Sequence, residues 1–148
     1  MRITLDTNVV AYAEGVNGAR RKKAALEIIE KLPEDSTFLP VQVLGELFRV
    51  LVRKAGRSPE RARAAILSWQ DAFPPVETTP SVMLAAIDLA VRHHLGIWDG
   101  VVLAAAAASG CRLLLSEDLH TGFTWSGVTV VNPFAEEKHE LLGELLGE

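Results

Sequence analysis

A single cysteine, Cys111, stands among 148 residues. No intrachain disulfide can therefore staple the fold, and the chain suits a reducing compartment. The stretches Ala104 to Gly110 and Leu113 to Leu115 flank that cysteine. They mark it as a small buried hydrophobe rather than a redox centre. No apolar run reaches the roughly 18 residues that a bilayer span needs. No charged segment leads into a long apolar stretch at the start, so no signal peptide is read, and a cytoplasmic location is expected. Repeats, low-complexity tracts and long linkers are also missing, which leaves 1–148 as one expected domain of ordinary size. Neither HExxH nor CxxC occurs, and the adjacent His93 and His94 face apart on a helix, so zinc has no ligand set. His120 lies two residues beyond Asp118 and is not assigned to a site.

What is present is ample core and uneven charge. Apolar residues make up 49% of the chain and charged residues 23%, which excludes a disordered polymer. The net charge of −4 conceals +4 on residues 1–63 and −8 on residues 64–148. Ten of the fifteen bases fall in two stretches, RRKK at 20–23 and RVLVRKAGRSPERAR at 49–63. Local basic patches of this kind can hold a phosphate backbone even on an acidic protein. Solvated helix faces explain them equally well.

Five short apolar runs read as strands: 2–6, 37–39, 76–79, 112–116 and 128–131. Helical patterns fill 18–32, 40–55, 58–72, 80–95 and 98–109, with prolines at the boundaries. Ser58 before Pro59 reads as a helix cap, and either Thr79 or Ser81 can cap the helix that starts near Pro80. The strands are continuous apolar runs rather than alternations, which fits a sheet covered on both faces. Strands alternating with helices imply a three-layer α/β/α sandwich around a parallel sheet of about five strands. The helix after Asp99 is nearly all apolar and should be buried on most sides, ending at Gly110.

Ligands in such sheets bind at the carboxyl ends of strands. Asp6 ends the first strand, Asp118 follows the fourth, and Asp99 opens the apolar helix where the helix dipole favours negative charge. Each has an ordinary reading too: Asp6 and Asp99 as helix-start acids, Asp118 as a loop acid. Glu46 lies at the edge of an apolar helix face, on the side shared with Gln42, Arg49 and Arg53. Periodicity there slightly favours a solvated glutamate. Gathered carboxylates repel unless a cation offsets them, and oxygen-only donors suit Mg²⁺ or Mn²⁺.

Taken together, LDTNVVAYA, ELFRVLVRKAG, IWDGVVLAAAAASGC, LLLSEDLHTGF and VVNPF resemble the PIN-domain family, particularly its VapC-like toxins. The resemblance implies an α/β/α sandwich carrying an acidic cluster that binds Mg²⁺ or Mn²⁺ and cleaves RNA. It places the catalytic and metal-binding acids on Asp6, Glu46, Asp99 and Asp118, which reverses the solvated reading of Glu46. It places the small hydroxyl residue on Ser116, with Thr7 and Asn8 bracing Asp6. Glu117 is an extra acid, and Asp118 is preferred over it because Ser116 and Asp118 keep the hydroxyl-x-Asp spacing. Arg49, Arg53 and Arg57 are the candidate RNA-backbone contacts. The resemblance further implies a homodimer and a cognate antitoxin protein, with the amphipathic tail AEEKHELLGELLGE covering the domain or contacting a partner.

Two other classes share part of this pattern. A phosphatase or receiver domain also uses an Asp after its first strand, but Asn8 stands where a DxD pattern needs its second Asp. A catalytically silent PIN-like interaction module is disfavoured by the retention of all four acids.

Overall fold

The computed structural model describes residues 1–148. In chain order it contains β1 (Ile3–Leu5), α1 (Thr7–Ala13), α2 (Ala19–Ile29), a 3₁₀ turn (Glu34–Ser36), β2 (Thr37–Pro40), α3 (Val41–Arg53) and α4 (Pro59–Ala72). There follow β3 (Pro75–Val76), α5 (Pro80–His93), α6 (Ile97–Ala108), β4 (Leu113–Leu115), β5 (Thr124–Trp125), β6 (Val128–Val131) and α7 (Glu140–Leu146). The sheet runs in the order β3-β2-β1-β4-β6-β5, flanked by the helices. Ile3, Leu5, Leu113, Leu114, Leu115, Val128, Val130 and Val131 are all fully buried, as unbroken apolar strands between helical layers must be.

Five strands pair in parallel, with Ile3 opposite both Thr37 and Leu113 and Leu113 opposite Thr129. The sixth, β5, adds an antiparallel edge to the five parallel strands expected. It pairs antiparallel with β6 through a two-residue turn at Ser126-Gly127, where both residues have positive φ. That conformation matches the twist of a hairpin. The other differences lie at element ends. The expected strand at 76–79 is only Pro75–Val76, because Thr79 leaves it to cap α5, its hydroxyl accepting from Val82 N at 3.2 Å. Ser58 caps α4 by accepting from Arg61 N at 3.2 Å. Two helices add to the five expected: α1, capped by Asp6, and α7 within the amphipathic tail.

The strand order sets the position of everything that follows. From β1 the chain moves outward through β2 and β3, then returns to build β4 and β6 on the other side. The reversal falls between β1 and β4, the point at which doubly wound sheets open a crevice at their carboxyl ends. Asp6 N donates to Leu115 O at 2.9 Å there, and Ser116 N donates to Val131 O at 3.0 Å. The rim is thereby tied to the sheet.

Helix α6 is buried along Gly100–Ala106 and crosses α5 closely. A Cβ on Gly100 would sit 3.0 Å from the Ala86 carbonyl oxygen and 3.3 Å from its Cα. Both obstructing atoms are helix backbone, so they yield little. Gly100→Val is expected to destabilise the protein by about 1–3 kcal/mol through overpacking, read as a lower urea midpoint with an unchanged slope.

Candidate active site

Asp6 is the centre of the rim. Its side chain is only 4% exposed. One carboxylate oxygen accepts from Thr7 N at 2.8 Å, and the other accepts from Ser116 Oγ at 2.7 Å. Asp6 therefore is the helix cap that its ordinary reading supposes, and it is also held from the neighbouring strand. Ser116 is fully buried and receives a further hydrogen bond, 3.3 Å from Leu119 N, which fixes the loop after β4.

Three more acids face this point from separate elements. Glu46 reaches across from α3, accepting from Thr7 Oγ1 at 2.6 Å and from Gln42 Nε2 at 2.8 Å. Asp118 accepts from Asn8 Nδ2 at 3.1 Å, while Asn8 Oδ1 accepts from Glu117 N at 3.1 Å. Asp99 lies in the first turn of α6 and is half-buried. The solvated reading of Glu46 gives way here, because Thr7 draws its carboxylate to the rim.

The two deeper acids both register the charges around them. Burial pushes Asp6 up to about 6, reinforced by the charges of Asp99 and Glu46 and opposed by the hydrogen bonds from Ser116 and Thr7. Burial also raises Asp99, reinforced by Glu46 and Asp118. Four carboxylates with this mutual repulsion form an oxygen donor set suited to a hard divalent cation. They are not drawn into a closed cage: no three His, Cys, Asp or Glu side chains are gathered at metal-ligating spacing. Glu46 and Asp118 are instead occupied by neutral donors, the amide and hydroxyl groups of Gln42, Thr7 and Asn8. The donor chemistry, oxygen atoms only, fits a hard ion.

Glu117 turns the other way. Its carboxylate accepts from Tyr12 OH at 2.6 Å and from Arg21 Nη1 at 2.9 and 3.0 Å. The adjacent acids are thus sorted by their partners, Glu117 to the α1–α2 side and Asp118 to the rim.

A groove of about 990 Å³ opens beside the acids, lined by Glu46, Asp118 and the bases Arg49, Arg53 and Lys54. Arg57, expected with these bases, is committed elsewhere. It donates to Glu14 Oε1 at 2.6 Å and to the Glu14 carbonyl at 2.7 Å, and Trp69 Nε1 binds the second Glu14 oxygen at 3.1 Å. That cluster joins the end of α1 to α4 and to the connection that precedes it. His120 is exposed and does not line the groove. Of the site residues unassigned from sequence, Gln42 was within reach, since it stands four residues before Glu46 on one helix face. Tyr12 and Arg21 carry no such signal, because their partner is about a hundred residues away.

A doubly wound α/β protein with an acidic carboxyl-end rim is the class these features define. The PIN-domain family model matches residues 3–121, and the chain belongs to the PIN-domain family. Among solved structures, the chain is similar to the VapC20 toxin of Mycobacterium tuberculosis, described as cleaving the sarcin–ricin loop (22% identity, TM-score 0.66, 78% of this chain and 91% of that one). It is also similar to a toxin–antitoxin complex from Klebsiella pneumoniae (20%, 0.67, 89% and 98%). The Neisseria gonorrhoeae FitAcB structure has 18% identity and a TM-score of 0.66, with 89% of this chain and 98% of that one covered. At these identities the likeness establishes the fold. No curated protein matches the sequence significantly.

The raised Asp6 has a sign that can be tested. Folded, it holds its proton up to about pH 6, whereas unfolded it releases it near its ordinary 3.8. The native state therefore binds more protons across that window, and stability of the cation-free protein falls as pH rises from about 4 to about 6. Urea unfolding in chelator should show this decline, and Asp6→Asn should flatten it.

Proposed function

We propose that this chain is a Mg²⁺- or Mn²⁺-dependent endoribonuclease and the toxin of a toxin–antitoxin pair. One observation carries the reading: four carboxylates from distant parts of the chain face one rim, beside a groove walled by Arg49, Arg53 and Lys54. Asp6 and Asp99 are the principal ion ligands, completed by Glu46 and Asp118. A bound divalent cation supplies a water of lowered pKa and positive charge for the phosphoryl oxygens. The chain's own residues do the rest. Ser116 Oγ and Thr7 N fix both Asp6 oxygens. Thr7, Gln42 and Asn8 keep Glu46 and Asp118 in position. Arg49 and Arg53 hold the RNA backbone alongside.

Water as nucleophile predicts products with a 5′-phosphate and a 3′-hydroxyl. EDTA should abolish cleavage, and Asp99→Asn should reduce it by more than about 100-fold, the scale of losing one preorganised charge-stabilising group. Ends carrying a 2′,3′-cyclic phosphate would exclude this mechanism. Arg53→Glu should weaken RNA binding and lower the salt slope by about 0.7 per lost phosphate contact, measured by titration at several salt concentrations. Arg57→Gln should leave that slope alone.

The partner reading follows the same family. A homodimer and an antitoxin are proposed, the antitoxin supported by a structural relative described as a toxin–antitoxin complex. Leu84, Ile87 and Val91, exposed on one face of α5, offer apolar surface for either. The chain acts as one domain, supported by a continuous core from Ile3 to Leu142, and works in the cytoplasm; no helix is long and apolar enough to cross a membrane. A silent interaction module is the second reading, favoured by the unclosed acid set. Partner binding without any metal-dependent cleavage would select it.

A further inference from the structure

Trp98 is left unexplained by the acid cluster and by the core. It is 53% exposed, a costly position for a large indole that usually finds cover. It immediately precedes Asp99 in the first turn of α6 and lines the groove that also holds Glu46 and Asp118. The same groove is lined by Arg49, Arg53 and Lys54. Thr78, on the same lining, has a hydroxyl that is buried without any hydrogen-bond partner, leaving unused pairing capacity close at hand.

An aromatic face, a row of cations and an acidic centre in one groove are the parts that recognise an unpaired strand. Cations track phosphates without reading sequence, while an aromatic side chain takes the flat face of an unstacked base. We propose that Trp98 is a stacking platform for one nucleobase of a single-stranded RNA segment lying next to the bond to be cut. This inference rests on the ribonuclease reading and narrows its substrate to RNA with an unpaired base at the site. The apolar residues of α5 do not line the groove, so Trp98 is distinguished from them by its surroundings.

The test uses the full chain with Asp6→Asn, which stops cleavage while leaving Trp98 and its helix intact, in Mg²⁺. Affinity for unstructured oligoadenylate and for oligouridylate is measured together with tryptophan emission. Tighter binding of the purine probe, with quenched emission, is the expected result. Adding Trp98→Ala should weaken binding of the purine probe roughly ten- to hundredfold and erase the difference between probes. Trp98→Phe should keep most of the affinity while removing the quench, since Trp69 and Trp125 lie outside the groove lining. Unchanged affinity in Trp98→Ala overturns the platform. So does a change of oligomeric state in Trp98→Ala with RNA binding intact, which would make this residue a protein contact. Absence of any Mg²⁺- or Mn²⁺-dependent RNA cleavage by the natural chain removes the ribonuclease reading itself, and the platform with it.

Discussion

A carboxylate buried at the carboxyl end of a central strand is the constraint on which the rest of this structure depends. Asp6 sits at the end of β1 with almost no access to water, and its two oxygens are held by Thr7 N and the Ser116 hydroxyl. A buried charge is costly, and the protein meets part of that cost with hydrogen bonds and part by letting the group keep its proton up to about pH 6. The remaining acids add repulsion rather than relief. Such an arrangement is stable enough to fold, yet it stores an affinity for positive charge at one point of the rim.

Helix α3 shows how one element can serve both core and site. Val43, Leu47 and Leu51 are fully buried on one face. Gln42, Glu46, Arg49 and Arg53, spaced at helical intervals, form a polar stripe along the other edge, and all four line the groove. The acid is at the rim end and the cations lie further along. The helix thus lays out charge in order along the groove, cations on one stretch of α3 and the acid at the rim. Arg57 falls beyond the helix, where Glu14 captures it, so proximity in sequence to Arg53 did not carry it into the groove.

Much of the fold was legible beforehand because its signals are local. Prolines and capping residues marked helix starts, as at Ser58 and Thr79, and unbroken apolar triplets marked strands covered on both sides. Failures came where the signal was short. β5 has two residues, too few for a pattern, and it exists because Ser126-Gly127 accept positive φ. The four acids could be named by resemblance to a family, but from periodicity alone Glu46 looked solvated. Its reach to Thr7 depends on how α3 lies against α1, which no helical wheel contains.

The amino-acid order by itself determined which segments are helix and strand, which residues are oily enough to fill the core, and where charge is concentrated along the chain. These follow from side-chain chemistry and short-range backbone preference. Only the tertiary structure decided that Glu117 pairs with Tyr12 and Arg21 while Asp118 faces the rim, and that Arg57 serves α1 rather than the groove. Those outcomes are choices among competing partners separated by up to 110 residues. They are settled by strand order and helix packing, because hydrogen bonds and ion pairs act over a few ångströms and sequence distance carries no information about them.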